Sequence, residues 1–284
     1  MAGAFWKIGD RTIDFAHGGM IMGVLNVTPD SFSDGTAFFE SRRAHEQAMR
    51  MVEEGADIID VGGESTRPGA NAVPEDEELR RVIPVIKNLR AADEEILISV
   101  DTSKAGVAEA ALAAGANIIN DITGGRGDER MMALAAKCRA GFIIMHMQGT
   151  PRTMQEHPKY AEVVAEVAEF FRQQFARALE CGIDPKAIAF DPGIGFGKTL
   201  EHNLELLRNL PQLRVEDRPL VVGVSRKAFL GKLIDAGEMS ERIAPTVAMT
   251  ALLCGRGADV LRVHDVKQNV SALRTAEAFE GARA

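Results

Sequence analysis

Glu54-Gly55-Ala56-Asp57-Ile58-Ile59-Asp60-Val61-Gly62 is the stretch from which the fold can be read. A helix-forming segment, Ser41–Glu54, runs into a glycine, a small residue and an acid, and a short apolar run begins at once. Glycine accepts the left-handed conformation that ends a helix and turns the chain toward a strand. The signature returns as Ala114-Gly115-Ala116-Asn117 ahead of Ile118 and as Arg256-Gly257-Ala258-Asp259 ahead of Val260. Outward from it lie the apolar runs Met20–Asn26, Asp57–Gly62, Ile96–Asp101, Asn117–Asp121, Gly141–His146, Ala187–Asp191, Leu220–Ser225 and Asp259–His264. They are rich in Ile and Val and almost continuously apolar, as strands buried on both faces are. Between them, Glu75–Arg90, Lys104–Ala114, Tyr160–Glu180 and Pro245–Cys254 have helix-forming composition and amphipathic spacing.

Eight strands alternating with about eight helices predict an α/β fold, a closed (β/α)8 TIM barrel. An open doubly wound sheet with a Gly-rich first turn would explain part of the alternation. Ala4–Ala16 reads as a short β-hairpin closing the barrel floor. No linker or composition break interrupts the pattern, so residues 1–284 are expected as one domain. At 46% hydrophobic and 26% charged residues, the chain can bury a large core. A net charge of −8 argues against a nucleic-acid-coating surface, although a local basic cluster can still hold a phosphorylated small molecule. Cys138, Cys181 and Cys254 lie far apart without a CxxC, which speaks against a disulfide framework or a zinc site. Met1–Asp10 lacks the pattern of a secretion signal, and no apolar run approaches the roughly 20 residues of a membrane span. The expected compartment is the cytosol.

In such a barrel, chemistry gathers at the C-terminal ends of the strands. Those ends read Asn26, then Gly62-Gly63-Glu64-Ser65-Thr66-Arg67, Asp101, Asn120-Asp121, His146, Asp191, Ser225-Arg226-Lys227 and Arg262 with His264. For Asp121 and Asp265 alone, helix N-capping is the simpler reading. The rest divide by chemistry. Asp101, Asn120 and Asp191 have no basic neighbour in sequence and suit a pterin or guanine-like ring that presents N–H groups. Arg262, His264, Asn26 and Arg67 gather donors for an anion near the first, second and last strands. The run Gly193-Ile194-Gly195-Phe196-Gly197-Lys198-Thr199 tempts one toward a phosphate-cradling loop, but the required first glycine would fall at Pro192. It is expected instead as a flexible loop closing over the site. The histidines form no HExxH cluster, and Met145–Met147 reads as core packing.

The ordered motifs resemble those of the dihydropteroate synthase family. Asn26-Val27-Thr28-Pro29-Asp30-Ser31-Phe32-Ser33-Asp34-Gly35 and Asp60-Val61-Gly62-Gly63-Glu64-Ser65-Thr66-Arg67-Pro68-Gly69 are similar to its two signature loops. The likeness continues through Ser99–Thr102, Ile119–Ile122, Met145–Pro151, Asp191–Lys198, Ser225–Lys227 and Arg262–Asp265, from about Met20 to about Val270. At Ser103 the family often has a bulkier side chain.

The resemblance implies condensation of 6-hydroxymethyl-7,8-dihydropterin diphosphate with 4-aminobenzoate to 7,8-dihydropteroate and diphosphate, in folate biosynthesis. By analogy Asp101, Asn120 and Asp191 hold the pterin, with Lys227 on the ring. Asn26 contacts the diphosphate and a Mg²⁺ ion, while Arg67, Arg262 and His264 supply further diphosphate donors. Phe32, Thr66, Pro68, Phe196 and Ser225 form the aminobenzoate pocket. Asp101, Lys227, Arg262 and His264 are the expected catalytic set. Sulfonamides mimic 4-aminobenzoate in this family, and homodimers are usual in it. Loss of diphosphate before attack of the amine would leave a cation in the reduced ring, with no strong general base required. Closing loops at Thr28–Phe39 and Glu64–Asn71 would keep water from that cation. A pterin-binding methyltransferase shares the acid-and-amide cradle but has no use for Arg67, Arg262 and His264. A catalytically idle pterin-binding barrel would require a broken motif.

Overall fold

A computed structural model describes residues 4–28, 37–66, 69–235 and 237–281, with the backbone alone for 37–40. The chain opens with the expected hairpin, β1 (Phe5–Ile8) antiparallel to β2 (Arg11–Asp14). Then come β3 (Met20–Asn26), β4 (Ile58–Gly62), β5 (Leu97–Asp101), β6 (Ile118–Asp121), β7 (Gly141–Met145), β8 (Ile188–Asp191), β9 (Val221–Gly223) and β10 (Val260–Val263). These eight form one parallel sheet in the order β8-β7-β6-β5-β4-β3-β10-β9. The two ends meet through a parallel bridge between Phe190 and Leu220, where the Phe190 N–H donates to the Pro219 carbonyl at 2.9 Å. The sheet is therefore a barrel rather than an open, doubly wound layer.

Helices α1 (Ala37–Glu53), α2 (Glu75–Ala92), α3 (Ala105–Ala113), α4 (Met131–Cys138), α5 (Val163–Glu180), α6 (Leu200–Arg208), α7 (Ala228–Leu233), α8 (Ile243–Cys254) and α9 (Val266–Glu280) alternate with the strands. The three glycines that announce strands have φ of +97° (Gly55), +113° (Gly115) and +91° (Gly257), the left-handed region in which a Cβ is strained. Helix α5 starts three residues later than its amphipathic pattern suggests. The Glu166 carboxylate accepts the N–H groups of Ala161 and Glu162, at 2.7 and 3.0 Å, and caps the helix from within.

Strand residues facing outward, among them Ile59, Val61, Ile98, Val100, Phe142 and Ile144, pack with the helices into the main core. Inward-facing residues at the strand starts form a separate apolar layer of Met22, Ile58, Leu97, Ile118, Ile143, Ala189, Val221 and Val260. The hairpin seals this layer from below with Trp6, Ile8 and Phe15. Trp6 is fully buried, and its indole N–H donates to the Ala187 carbonyl at 2.9 Å, so the polar edge of the ring is satisfied.

Candidate active site

Above the apolar floor the inward positions turn polar. Arg262, on β10, donates from Nε to Asp60 Oδ2 on β4 at 2.6 Å and from Nη2 to Asp101 Oδ2 on β5 at 2.7 Å. Asn120 Nδ2, on β6, donates to the same Asp60 oxygen at 3.1 Å. The acids that lack a basic neighbour in sequence thus gain one in space, across the barrel. One guanidinium can balance only one of the two carboxyl groups, and the other is poised to ionise beside a donor-rich or cationic ring. Burial drives the Asp101 carboxyl above the usual carboxylate range; Arg262 opposes this and Asp60 adds to it. Arg262, despite its burial, is held charged by Asp60 and Asp101.

Asp191, at the end of β8, is buried and accepts the Gly193 N–H at 2.7 Å. Burial raises its pKa, with Lys227 working the other way. Lys227 donates to the Ile194 carbonyl, and its ammonium stands 4.5 Å over the Phe196 ring. Burial pushes it down to about 8, against the pull of Asp191. The β9 and β10 ends are joined where Ser225 Oγ meets His264 Nδ1 at 2.9 Å and accepts its backbone N–H at 3.1 Å.

A cavity of about 1050 Å³ opens at this rim, and its wall includes Asn26, Thr66, Phe196, Ser225, Lys227, Arg262 and His264. Asp101, Asn120 and Asp191 are buried and are not part of that wall: Asp101 bonds its Arg262, Asn120 reaches Arg262 only through Asp60, and Asp191 feels the charge of Lys227. Phe32, Arg67 and Pro68 fall outside the described residues, as do 29–36 of the first expected closing loop and 67–68 of the second. A Cβ placed on Gly62 would stand 3.7 Å from Asp101 Oδ2 and 3.8 Å from Asn26 Oδ1, so both oxygens border one space that a side chain at 62 would fill. Among the described residues no group of three or more His, Cys, Asp or Glu is arranged to hold a metal.

The glycine-rich segment 192–199 is a packed turn, not the flexible loop expected from its composition. Lys198 is only 3% exposed, and its ammonium meets His146 Nδ1 at 3.0 Å, the Gly193 carbonyl at 3.1 Å and the Phe196 carbonyl at 3.0 Å. Burial lowers Lys198 to about 7 and also lowers His146, which therefore stays neutral and can accept from the lysine. Gly193 has φ +61°, and a Cβ there would overlap the His146 carbonyl oxygen at 1.9 Å. Glycine is needed because two backbones touch. Neither Asp121 nor Asp265 caps a helix through its side chain. Asp121 accepts from Thr123 and Gly125 to fold the turn after β6, and Asp265 pairs with Arg226 Nε at 2.9 Å.

A family model described as "Pterin binding enzyme" matches residues 22–264. Dihydropteroate synthase of Escherichia coli (strain K12) is 47% identical over 274 residues, covering 96% of this chain and 95% of the relative. The chain belongs to the dihydropteroate synthase family. Solved structures of the family superpose closely. The Xanthomonas albilineans dihydropteroate synthase with 4-aminobenzoic acid has a TM-score of 0.90 at 42% identity, covering 98% of each chain. The Yersinia pestis dihydropteroate synthase in a sulfonamide drug complex has 0.91 at 41%, covering 98% of this chain and 100% of its own. With the family comes the activity, synthesis of dihydropteroate by a transferase of folate biosynthesis.

Two side chains of this synthase-family site escaped the strand-end reading. Asp60 lies mid-strand rather than at a strand end, and the signal that marks it is a lone carboxylate within an apolar run. Lys198 follows its strand end by seven residues, inside a glycine-rich run that composition reads as a loop.

Proposed function

We propose that the dihydropterin ring enters the buried acid-and-amide half of the cavity and that 4-aminobenzoate lies along the wall of Thr66, Phe196 and Ser225, completed by Phe32 and Pro68. Asp101, Asn120 and Asp191 meet the donor and acceptor edges of the ring, and Lys227 adds a hydrogen bond. Arg262, His264, Asn26 and Arg67 face the diphosphate. The observation that carries this reading is the Asp60–Arg262–Asp101 chain beneath the cavity: one guanidinium faces two carboxyl groups, so the second can ionise beside a ring turning cationic. The bond from the pterin methylene to the diphosphate oxygen breaks first, and its electron pair leaves with the diphosphate. The lone pair of the aniline nitrogen then forms the C–N bond, and that nitrogen releases a proton. An aromatic amine is neutral near pH 7, so no nucleophile–base pair is needed.

Asn26 fits a Mg²⁺ ion bound together with the diphosphate. Mg²⁺ keeps most of its water and takes substrate phosphate oxygens with only one or two protein ligands, which one carboxamide oxygen bordering the cavity can satisfy. When bound, the ion supplies positive charge to the departing diphosphate. A homodimer through α8 agrees with the exposed Ala244, Ala248 and Leu252 at helical spacing on an otherwise apolar helix. A cytosolic location agrees with three cysteines present as thiols and with the lack, among the described residues, of a helix long and apolar enough to cross a membrane. Sulfonamides are expected to compete for the aminobenzoate wall.

The test is mass-spectrometric. Purified protein is supplied with dihydropterin diphosphate, 4-aminobenzoate and Mg²⁺, with a parallel arm in chelator. Dihydropteroate is expected in the first arm and strongly suppressed in the second. Folded protein that binds both substrates without product overturns the reaction, and full activity in chelator overturns the metal.

A further inference from the structure

Behind the part of the wall that carries Ser65 and Thr66 lies a second charge cluster. Lys104, the residue preceding α3, donates from Nζ to Glu78 Oε2 at 2.6 Å and also to the Glu64 carboxylate. Glu78, on α2, is fully buried, and among the described residues its Oε1 has no partner. Side-chain exposure is 24% for Lys104 and 23% for Glu64, so that arm of the cluster reaches toward solvent. One turn along α2, Arg81 donates from Nη1 to the Gly63 carbonyl at 2.8 Å and from Nε to Glu77 at 2.9 Å. Gly63 itself leaves no room for a side chain, since a Cβ would come within 2.8 Å of Val82 Cγ1. Helices α2 and α3 therefore grip residues 63 and 64 in succession, and the next two residues line the cavity.

We propose that Lys104 is a positioning residue for 4-aminobenzoate: with Glu78 it clamps Glu64 and so sets where Ser65 and Thr66 stand in the cavity wall. Glu78 cannot release the ammonium without leaving a buried charge unpaired, so it acts as the fixed jaw. Glu64 is the jaw that can open, and it adjoins Ser65 directly. Arg81 holds the neighbouring carbonyl independently, so the clamp tunes the wall rather than building it. The inference rests on Thr66 forming part of the aminobenzoate wall.

Steady-state kinetics and calorimetry with a pterin ligand test it on four variants. Glu64→Gln and the charge-balanced double variant Lys104→Met/Glu78→Gln should each raise KM for 4-aminobenzoate about tenfold, with kcat within threefold and pterin affinity unchanged. Lys104→Arg should restore most of the loss. If Glu64→Gln folds with wild-type Tm and keeps KM within twofold, or if pterin affinity falls alongside KM, the clamp is overturned. Thr66→Val separates the two levels. A raised KM there with an unchanged KM in Glu64→Gln removes the clamp alone, whereas an unchanged KM in Thr66→Val removes the wall on which it rests.

Discussion

Ile58 and Asp60 stand two residues apart on the inner face of β4, the first in the apolar floor and the second on Arg262. The same step along the strand separates Leu97 from Ser99, Ile118 from Asn120, Ala189 from Asp191 and Val260 from Arg262. Side chains alternate with a period of two, so each of these five strands carries an apolar position and a polar one on the same face, about 7 Å apart. The floor is apolar throughout, closed by Trp6 of the hairpin. The upper half keeps carboxylates in a setting that burial makes unfavourable for them, as the raised pKa values of Asp101 and Asp191 record. Stability and reactivity are thus stacked in layers of one barrel rather than assigned to different elements.

That contrast can be broken from either side. The largest effect is expected below. Trp6→Ala should lose about 3–5 kcal/mol of unfolding free energy in a denaturant titration, while kcat per folded molecule stays at the wild-type value. A matching fall in kcat would mean that the floor also shapes the site. Asp101→Asn should act in the opposite sense, slowing single-turnover product formation by about 10²–10³-fold with little change in Tm. Unchanged turnover would remove the electrostatic role of this carboxylate. Lys227→Ala should weaken binding of a pterin ligand by about tenfold in calorimetry, the worth of one hydrogen bond from a charged group. Unaltered affinity would take Lys227 off the ring.

The smallest effect is a pH dependence. Lys227 titrates near 8 in the fold, against 10.5 for an ordinary lysine. Between those values the unfolded chain holds a proton that the folded chain has shed, so stability should rise with pH across that window. Below about 8 both states carry the charge, and the contribution is level at its least favourable. Wild type should therefore gain on Lys227→Met from pH 8 to 10.5 in denaturant titrations. A gain in the reverse direction would show that the fold holds this ammonium charged more tightly than water does.

Much of the site was legible because barrel strands end in one place. Asn26, Ser225 and His264 were found by reading the last polar residue of an apolar run, and the structure sets them on one cavity wall. The same rule could not find Asp60, which is mid-strand, or explain Lys198, whose ammonium is occupied by carbonyls from its own turn and by His146. Nor could it foresee that Arg262 would bond both Asp60 and Asp101 while sharing a cavity wall with His264.

The sequence by itself determined the number and order of strands, the glycine turns that launch three of them and the polar character of their ends. All of these rest on local periodicity and local backbone freedom. Only the tertiary structure decided partnership. Asp60 and Arg262 lie 202 residues apart and meet because β4 and β10 pair to either side of β3. Lys104 sits between Glu64 and Glu78 because α2 and α3 pack side by side. Ion pairing depends on distance in space, and that distance exists only once strands and helices far apart in sequence have packed together.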